Sequence, residues 1–305
     1  SVPDTLIEIF SSSNSATLAL VAGTATTFSL ATPLLSRALS NIFGIQDSKW
    51  LTIVILLVIC LIYTFSVMRG MKGVKILAQS CVYIFFALLL YVFIFGNQAV
   101  YILETGFSAI GNLVQNFIGL STWTDPLRSS SFPQNWTIYY WAYWMVWCVA
   151  APFFIGNISR GRTVRQVITG GYVFGVGSTL LSFVVLGNYS MGLQMNKAAD
   201  FIAQYTESGD IYAMIVSMFE SLPLAPVVLV VLLLTMIAFY ATSFDSIALT
   251  ASCYSYKKLE DNEAPHKLIQ LLWCVLLIVF PIALVFSESS MNNLQTVSII
   301  AAFPI

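Results

Sequence analysis

Charge is what this chain of 305 residues has least of. Only 9% of it is Asp, Glu, Lys or Arg, against about a quarter in soluble domains. The 13 basic and 14 acidic side chains leave a net charge of −1, and no basic tract offers a surface to nucleic acid. Histidine occurs once, as His266 beside Pro265 in a polar loop, where it reads as a solvated residue before it reads as a metal ligand. The five cysteines, at 60, 81, 148, 253 and 274, all lie inside apolar runs. They are expected to pack as small hydrophobes, not to form a disulfide framework. No nucleophile–base pair, metal cluster or phosphate loop is visible, so an enzyme is not expected. A signal peptide and an initiator methionine are missing, and the last residues, SIIAAFPI, stop inside an apolar run. This reads as a fragment of a longer polypeptide.

What the chain does have is hydrophobic length: 58% of its residues are apolar. A spanning helix needs about 20 mostly apolar residues. Seven stretches supply that, at 16–39, 50–68, 76–98, 135–158, 166–189, 223–254 and 268–287, and an eighth begins near 292. The expected fold class is an all-α polytopic membrane protein. Alternate loops hold Arg69, Lys72 and Lys75, then Arg160, Arg162 and Arg165, then Lys257, Lys258 and Lys267. The opposite loops hold Arg37, Lys49, Arg128 and Lys197, a bias of nine to four that places the first set in the cytoplasm. Residues 99–119 gather Val100, Leu103, Phe107, Ile110, Leu113, Val114 and Phe117 on one face, as an interfacial amphipathic helix would. Residues 198–220 look similar but more acidic, with Asp200, Glu207, Asp210 and Glu220.

Helix breakers are concentrated. Pro33 and Pro152 sit inside predicted spans, and Gly170, Gly171, Gly175 and Gly177 crowd another. Gly171 and Gly175 have the spacing of a close helix–helix contact. Pro152 predicts a kink, either for packing or to free backbone groups around a central cavity.

The segment NWTIYYWAYWMVW, residues 135–147, carries four tryptophans and three tyrosines. Trp136 follows a polar turn and suits the headgroup belt. Trp144 and Trp147 lie roughly 12–17 Å deeper along a helix. Tyr140, Tyr143, Trp144 and Trp147 recur at three- and four-residue spacing, so several share a face. A buried indole needs an acceptor, and a dry core is better served by Phe or Leu. A cavity for a cation is different: each ring face attracts a quaternary ammonium by about 0.5–2 kcal/mol. The alternative is an aromatic core helix.

NWTIYYWAYW followed by ISRGRTVR resembles the betaine/carnitine/choline transporter family, which carries a Trp-Thr-x-x-Tyr-Trp-Ala-x-Trp run on its eighth spanning helix and Ile-Ser-Arg-Gly-Arg in the next loop. SLATPLL resembles the family's fifth helix, GMKGVKILA the start of its seventh and ATSFDSIA its tenth. LATPL and NIFGI are most similar to the carnitine branch. The resemblance implies a LeuT-like inverted-repeat fold, truncated to helices five to twelve. Residues 1–119 would end the first repeat and add the amphipathic helix, and 120–305 would form an incomplete second repeat. It implies secondary transport of a trimethylammonium compound across a bacterial inner membrane, with a homotrimer as the assembly.

Carried over residue by residue, Tyr143 and Trp144 occupy the paired aromatic positions facing substrate. The family usually has Trp at both. The Tyr143 hydroxyl would be able to bond a carboxylate or a hydroxyl on the ligand. Trp147 and Tyr140 extend the wall, and Trp136 matches an outer aromatic that meets substrate on its way in. Phe239, Thr242 and Ser243 match the family's sodium-site pattern, an aromatic three residues before a Thr-Ser pair. From the residues alone, the favoured reading is that the two hydroxyls bond back to their own helix. Asp245 is an intramembrane acid, which usually faces a cavity or a partner. Thr24, Thr26 and Thr27 are candidates for a further cation site. The Arg and Met of sodium-independent exchangers correspond to Cys81 and Ala151, which implies ion coupling by sodium or protons. No cofactor is expected beyond sodium as coupling ion. A membrane sensor or channel that binds the same ligand, and a nonfunctional gene fragment, are the competing readings.

Overall fold

The computed structural model describes residues 20–27, 32–130, 132–148, 150–256 and 265–286. Helices carry the architecture, and no strand occurs among the described residues. In chain order they are α1 (20–27), α2 (32–43), α3 (Lys49–Met68), α4 (Met71–Phe95), α5 (Ala99–Gln115), α6 (Phe117–Thr122), α7 (Tyr139–Trp147) and α8 (Ala150–Ile158). Then follow α9 (Val164–Met195), α10 (Phe201–Ser208), α11 (Ile211–Glu220), α12 (Ala225–Tyr254) and α13 (Lys267–Phe286). The predicted span near 292 lies outside the described residues.

Among the described residues, four helices are long and apolar enough to cross a membrane: Lys49–Met68, Lys72–Phe95, Val164–Met195 and Ala225–Tyr254. Helix α13 contains a shorter apolar stretch, Lys267–Ala283. The expected span 16–39 is represented by α1 and α2, and residues 28–31 between them are outside the described set. The expected single helix over 135–158 runs from a wide π-helical turn at Pro133–Ile138 without interruption into α7, and a turn at Cys148 separates α7 from α8. Pro152 accounts for the break, since it has no N–H to give and its ring collides with the carbonyl four residues back, that of Cys148. Cys148 closes α7 with a tight bond from its N–H to the Met145 carbonyl.

Two apolar clusters meet on α12. One joins Leu56, Ile59 and Tyr63 of α3 to Phe244, Ala248 and Ala251 of α12 and to Cys274 and Leu277 of α13. The other joins Leu88, Leu89 and Val92 of α4 to Tyr189 of α9, Phe219 of α11 and Leu229 of α12. Lipid tails are as apolar as leucine, so helix association here depends on close fit and polar contacts more than on hiding surface. Helix α12 is built for that. Its buried face carries Thr235, Ala238, Ala241, Ala248, Thr250, Ala251 and Ser252, small enough to admit neighbouring backbones. A polar contact adds direction: the Tyr63 hydroxyl donates to the Cys274 carbonyl at 2.5 Å.

The expected close contact at Gly171 and Gly175 is corrected by the structure, where among the described residues nothing lies within 4 Å of a Cβ added at either. Close approach occurs at other glycines. A Cβ on Gly106 of α5 would stand 2.5 Å from Val184 Cγ1 of α9. Helix α5 thus docks through Ile102 and Gly106, both buried, while Val100, Phe107 and Val114 remain exposed.

Polar contacts sort the loops into two ends. At one end the Arg37 Nε donates to Asp210 at 3.0 Å, Asn41 to Glu220 at 2.9 Å and Asn196 to Gln98 at 3.0 Å. At the other, the Trp273 indole donates to Ser255 at 2.7 Å, and the His266 amide to Tyr256 at 2.9 Å. In the alternation of basic loops residues 37–49 and 197 belong to one set and 257–267 to the other, and residues 257–264 lie outside the described residues.

Candidate functional site

Helix α1 approaches the tryptophan run at one glycine. A Cβ on Gly23 would lie 2.7 Å from Val146 Cγ1 and 3.2 Å from the Trp147 ring, so glycine is what lets the two segments touch. Val146 is fully buried in that contact. One turn further along α1, Thr27 meets Tyr143 with 2.6 Å between the hydroxyls. Of the three threonines proposed on α1, Thr24 and Thr26 are buried and bond back to Leu20 and Ala22, whereas Thr27 faces α7.

Beyond this contact opens a hollow of about 350 Å³ lined by Thr27, Tyr143, Trp144, Trp147, Ser243, Phe244 and Ile247. Its size lies at the lower end of the ~300–1,000 Å³ typical of ligand pockets. Three segments distant in sequence supply the lining: α1, α7 and α12. The rings form a corner. Tyr143 and Trp144 are 6.1 Å apart at 73°, and Tyr143 and Trp147 are 6.1 Å apart at 78°. Near-perpendicular rings let one compact cation meet more than one π-face, which a parallel stack does not. Trp147 also packs against the α3–α12–α13 cluster, whereas Trp144 is 63% exposed.

Not every predicted residue reaches the hollow. Trp136 stacks on Tyr140 at 6.1 Å and 21°, and Tyr140 meets Tyr143 edge-on at 6.4 Å. This makes a ladder of rings leading from the Pro133 turn towards the hollow, but neither Trp136 nor Tyr140 lines it. Phe239 turns to α4, edge-on to Phe85 at 5.3 Å. Thr242 donates to the Ala238 carbonyl at 2.7 Å, and Ser243 to that of Phe239 at 3.0 Å. Thr242 also contacts the buried Cys81 of α4. Asp245 lies on another face of α12, fully buried, and accepts from Ser66 of α3 at 2.8 Å and from Ser246 at 3.0 Å.

Phe244 and Ile247 are lining residues that sequence reasoning missed. The signal was available: 243, 244 and 247 fall on one helical face, so a role for Ser243 at a cavity brings the other two with it. Among the described residues no group of three or more His, Cys, Asp or Glu side chains could hold a metal.

Outside the spanning helices, the turn before the tryptophan run is pinned by one carboxylate. Asp125 accepts from the Ser130 amide at 2.8 Å and from the Ser129 and Ser130 hydroxyls at 2.9 and 3.2 Å. These donors, the Ser130 amide first, hold its pKa down at about 2.

Residues 13–305 match the model of the BCCT, betaine/carnitine/choline family transporter. A carnitine transporter of Acinetobacter baumannii is 27% identical over 270 residues, 88% of this chain and 49% of that protein. The uncharacterized transporter YeaV of Escherichia coli is 28% identical over 270 residues, 88% of this chain and 56% of that protein. The chain therefore spans about half the length of the curated relatives it matches. With four long apolar helices and a family match over nearly all its length, this multi-pass membrane chain belongs to the betaine/carnitine/choline transporter family.

Proposed function

We propose that the protein carries a trimethylammonium compound across the bacterial inner membrane by ion-coupled secondary transport, without altering it chemically. The observation that carries this reading is the meeting of Tyr143, Trp144 and Trp147 with Ser243 around one hollow. A methylated ammonium cannot hydrogen-bond. It is held by electron-rich ring faces, and a corner of three rings replaces part of its loose hydration without a buried anion. Tyr140 and Trp136 continue that aromatic path outwards. The name of the Acinetobacter relative favours carnitine among the candidates.

Thr242 and Ser243 are proposed as oxygen ligands for a sodium ion, with Phe239 beside them. Each hydroxyl has a helix carbonyl to donate to, so Ser243 keeps its oxygen for a cation, while Thr242 would share its oxygen with the Cys81 contact. Asp245 acts behind that pair by holding α12 against α3. A LeuT-like arrangement of inverted repeats, divided at about residue 119, and a homotrimer are part of the same proposal. In the trimer the exposed apolar face of α5 is the surface offered.

The test is uptake of radiolabelled betaine, carnitine and choline into proteoliposomes holding the reconstituted protein, with sodium and proton gradients imposed one at a time. Uptake driven by either gradient is expected. Uptake unchanged when both are removed would reject coupling, and no uptake of any of the three would reject the substrate class.

A further inference from the structure

A second hollow, of about 660 Å³, lies along the start of α9 and shares no residue with the aromatic one. Its lining changes chemistry in one direction. Arg162 and Arg165 come first, Gln166 and Thr169 follow, and Val173 and Phe174 end the row. These positions recur at three- and four-residue spacing, so they share one helical face. Gly161, at φ 80°, turns the loop that leads into this row. Gly170 lies midway along it, and among the described residues nothing stands within 4 Å of a Cβ added there, so the middle of the hollow is open. Val173 and Phe174 are exposed, and neither Arg162 nor Arg165 pairs with a carboxylate among the described residues.

Helix α9 is longer than the hydrocarbon is thick. Its 32 residues, Val164–Met195, run roughly 48 Å against about 30 Å of acyl core, so its ends stand among headgroups. Arg162 and Arg165 belong to the set of basic loops that marks the cytoplasmic side. Val173 lies roughly 12 Å along the axis from Arg165, at the level of acyl chains.

From this we infer that the hollow binds one anionic phospholipid of the cytoplasmic leaflet. The phosphate sits between Arg162 and Arg165, whose guanidinium groups match it with paired N–H donors. Gln166 and Thr169 stand at the level of the ester groups, and one acyl chain passes Gly170 onto Val173 and Phe174. A soluble anion would use the cationic end alone and leave the apolar end without a role. The general bias of inner loops towards basic residues explains why arginines occur here, but not why two of them share a hollow with an apolar wall. Arg160, in the same loop, does not line it. The inference is independent of what the aromatic hollow carries.

The experiment titrates the purified full-length protein in detergent with dioleoylphosphatidylglycerol, and separately with dioleoylphosphatidylcholine, and counts bound lipid by native mass spectrometry. One phosphatidylglycerol per chain is expected to bind in a tight class that phosphatidylcholine does not fill. Arg162→Gln and Arg165→Gln should each weaken that class about fivefold, the scale of one basic residue at an anionic leaflet. Arg160→Gln, which removes the same charge from the same loop, should leave it in place. Phe174→Ser should weaken it, because the chain loses its apolar wall. The two lining arginines are exposed and are changed one at a time, so either variant carries the test should the other fail to fold. Equal weakening by all three arginine variants assigns the effect to net charge and overturns the site, as does equal binding of the two lipids. Displacement of the lipid by millimolar glycerol phosphate, which has the phosphate without the chains, overturns the lipid in favour of a soluble phosphate ester. The absence of any bound phosphatidylglycerol means that another part of the full-length protein covers the hollow, and overturns the inference too.

Discussion

Ser66 on α3 donates a 2.8 Å hydrogen bond to Asp245 on α12. Asp245 is the one acidic residue in the four long apolar helices. Both residues are buried, and Ser246 supplies a second donor at 3.0 Å. In lipid a polar clasp of this kind gives two helices a fixed register that apolar contact alone does not. Ser66→Ala should lower stability in detergent by about 1–2 kcal/mol, because it leaves a buried carboxyl oxygen one donor short. Combined with Asp245→Leu, the two losses should add to less than their sum, the mark of a shared contact. Thermal unfolding of the single and double variants checks this. Ligand affinity that changes as much as stability would move Asp245 into the binding site.

Trp144→Leu removes one ring of the corner while keeping an apolar side chain. Substrate affinity should fall at least tenfold, about 1.4 kcal/mol. Expression should be unaffected, since Trp144 is 63% exposed and holds nothing buried in place. Binding of a radiolabelled trimethylammonium compound checks it. Unchanged affinity removes Trp144 from the site.

Gly23 is where α1 and α7 meet. Gly23→Ala sets a methyl 2.7 Å from Val146 Cγ1, a buried β-branched group with little room to turn. Overpacking of this sort costs about 1–3 kcal/mol. It should also separate Thr27 from Tyr143 and so weaken ligand binding. Val146→Ala in the same protein should restore both. Failure of that rescue would place the defect elsewhere.

Asp125 gives a pH dependence to the turn that starts the tryptophan run. Its folded pKa, about 2, lies below the ordinary 3.8. A depressed carboxylate contributes stability that is present above the unfolded value and lost as pH falls towards the folded one. The turn should therefore hold above pH ~4 and loosen progressively between about 4 and 2. Limited proteolysis at residues 124–130 across that range checks it. Asp125→Ala should be cleaved at neutral pH as readily as the wild type is at pH 2.

Much of this protein could be read from one dimension. Apolar length alone marks α3, α4, α9 and α12, because a helix that keeps its backbone bonds to itself is the way for one segment to cross lipid. The alternation of basic loops sorted the chain's two ends, and the contacts of Arg37 with Asp210 and of Trp273 with Ser255 follow that sorting. The aromatic run announced a special wall by its composition. Its continuity misled, since Pro152 divides what hydropathy reads as one helix, and hydropathy does not register a missing N–H.

Facing is what the sequence left open. Thr24, Thr26 and Thr27 are alike on paper, and only the packing of α1 on α7 through Gly23 turns Thr27 towards Tyr143. Thr242, Ser243 and Asp245 stand within four residues, yet helical rotation sends Ser243 to the hollow, Thr242 to Cys81 and Asp245 to Ser66. Gly171 and Gly175 have the spacing of a helix contact but meet no neighbour among the described residues, while Gly106 meets Val184. Local chemistry sets what a segment can be. Which neighbour its side chains meet depends on rotation about the helix axis and on residues far away in the chain, and that is decided when the helices pack.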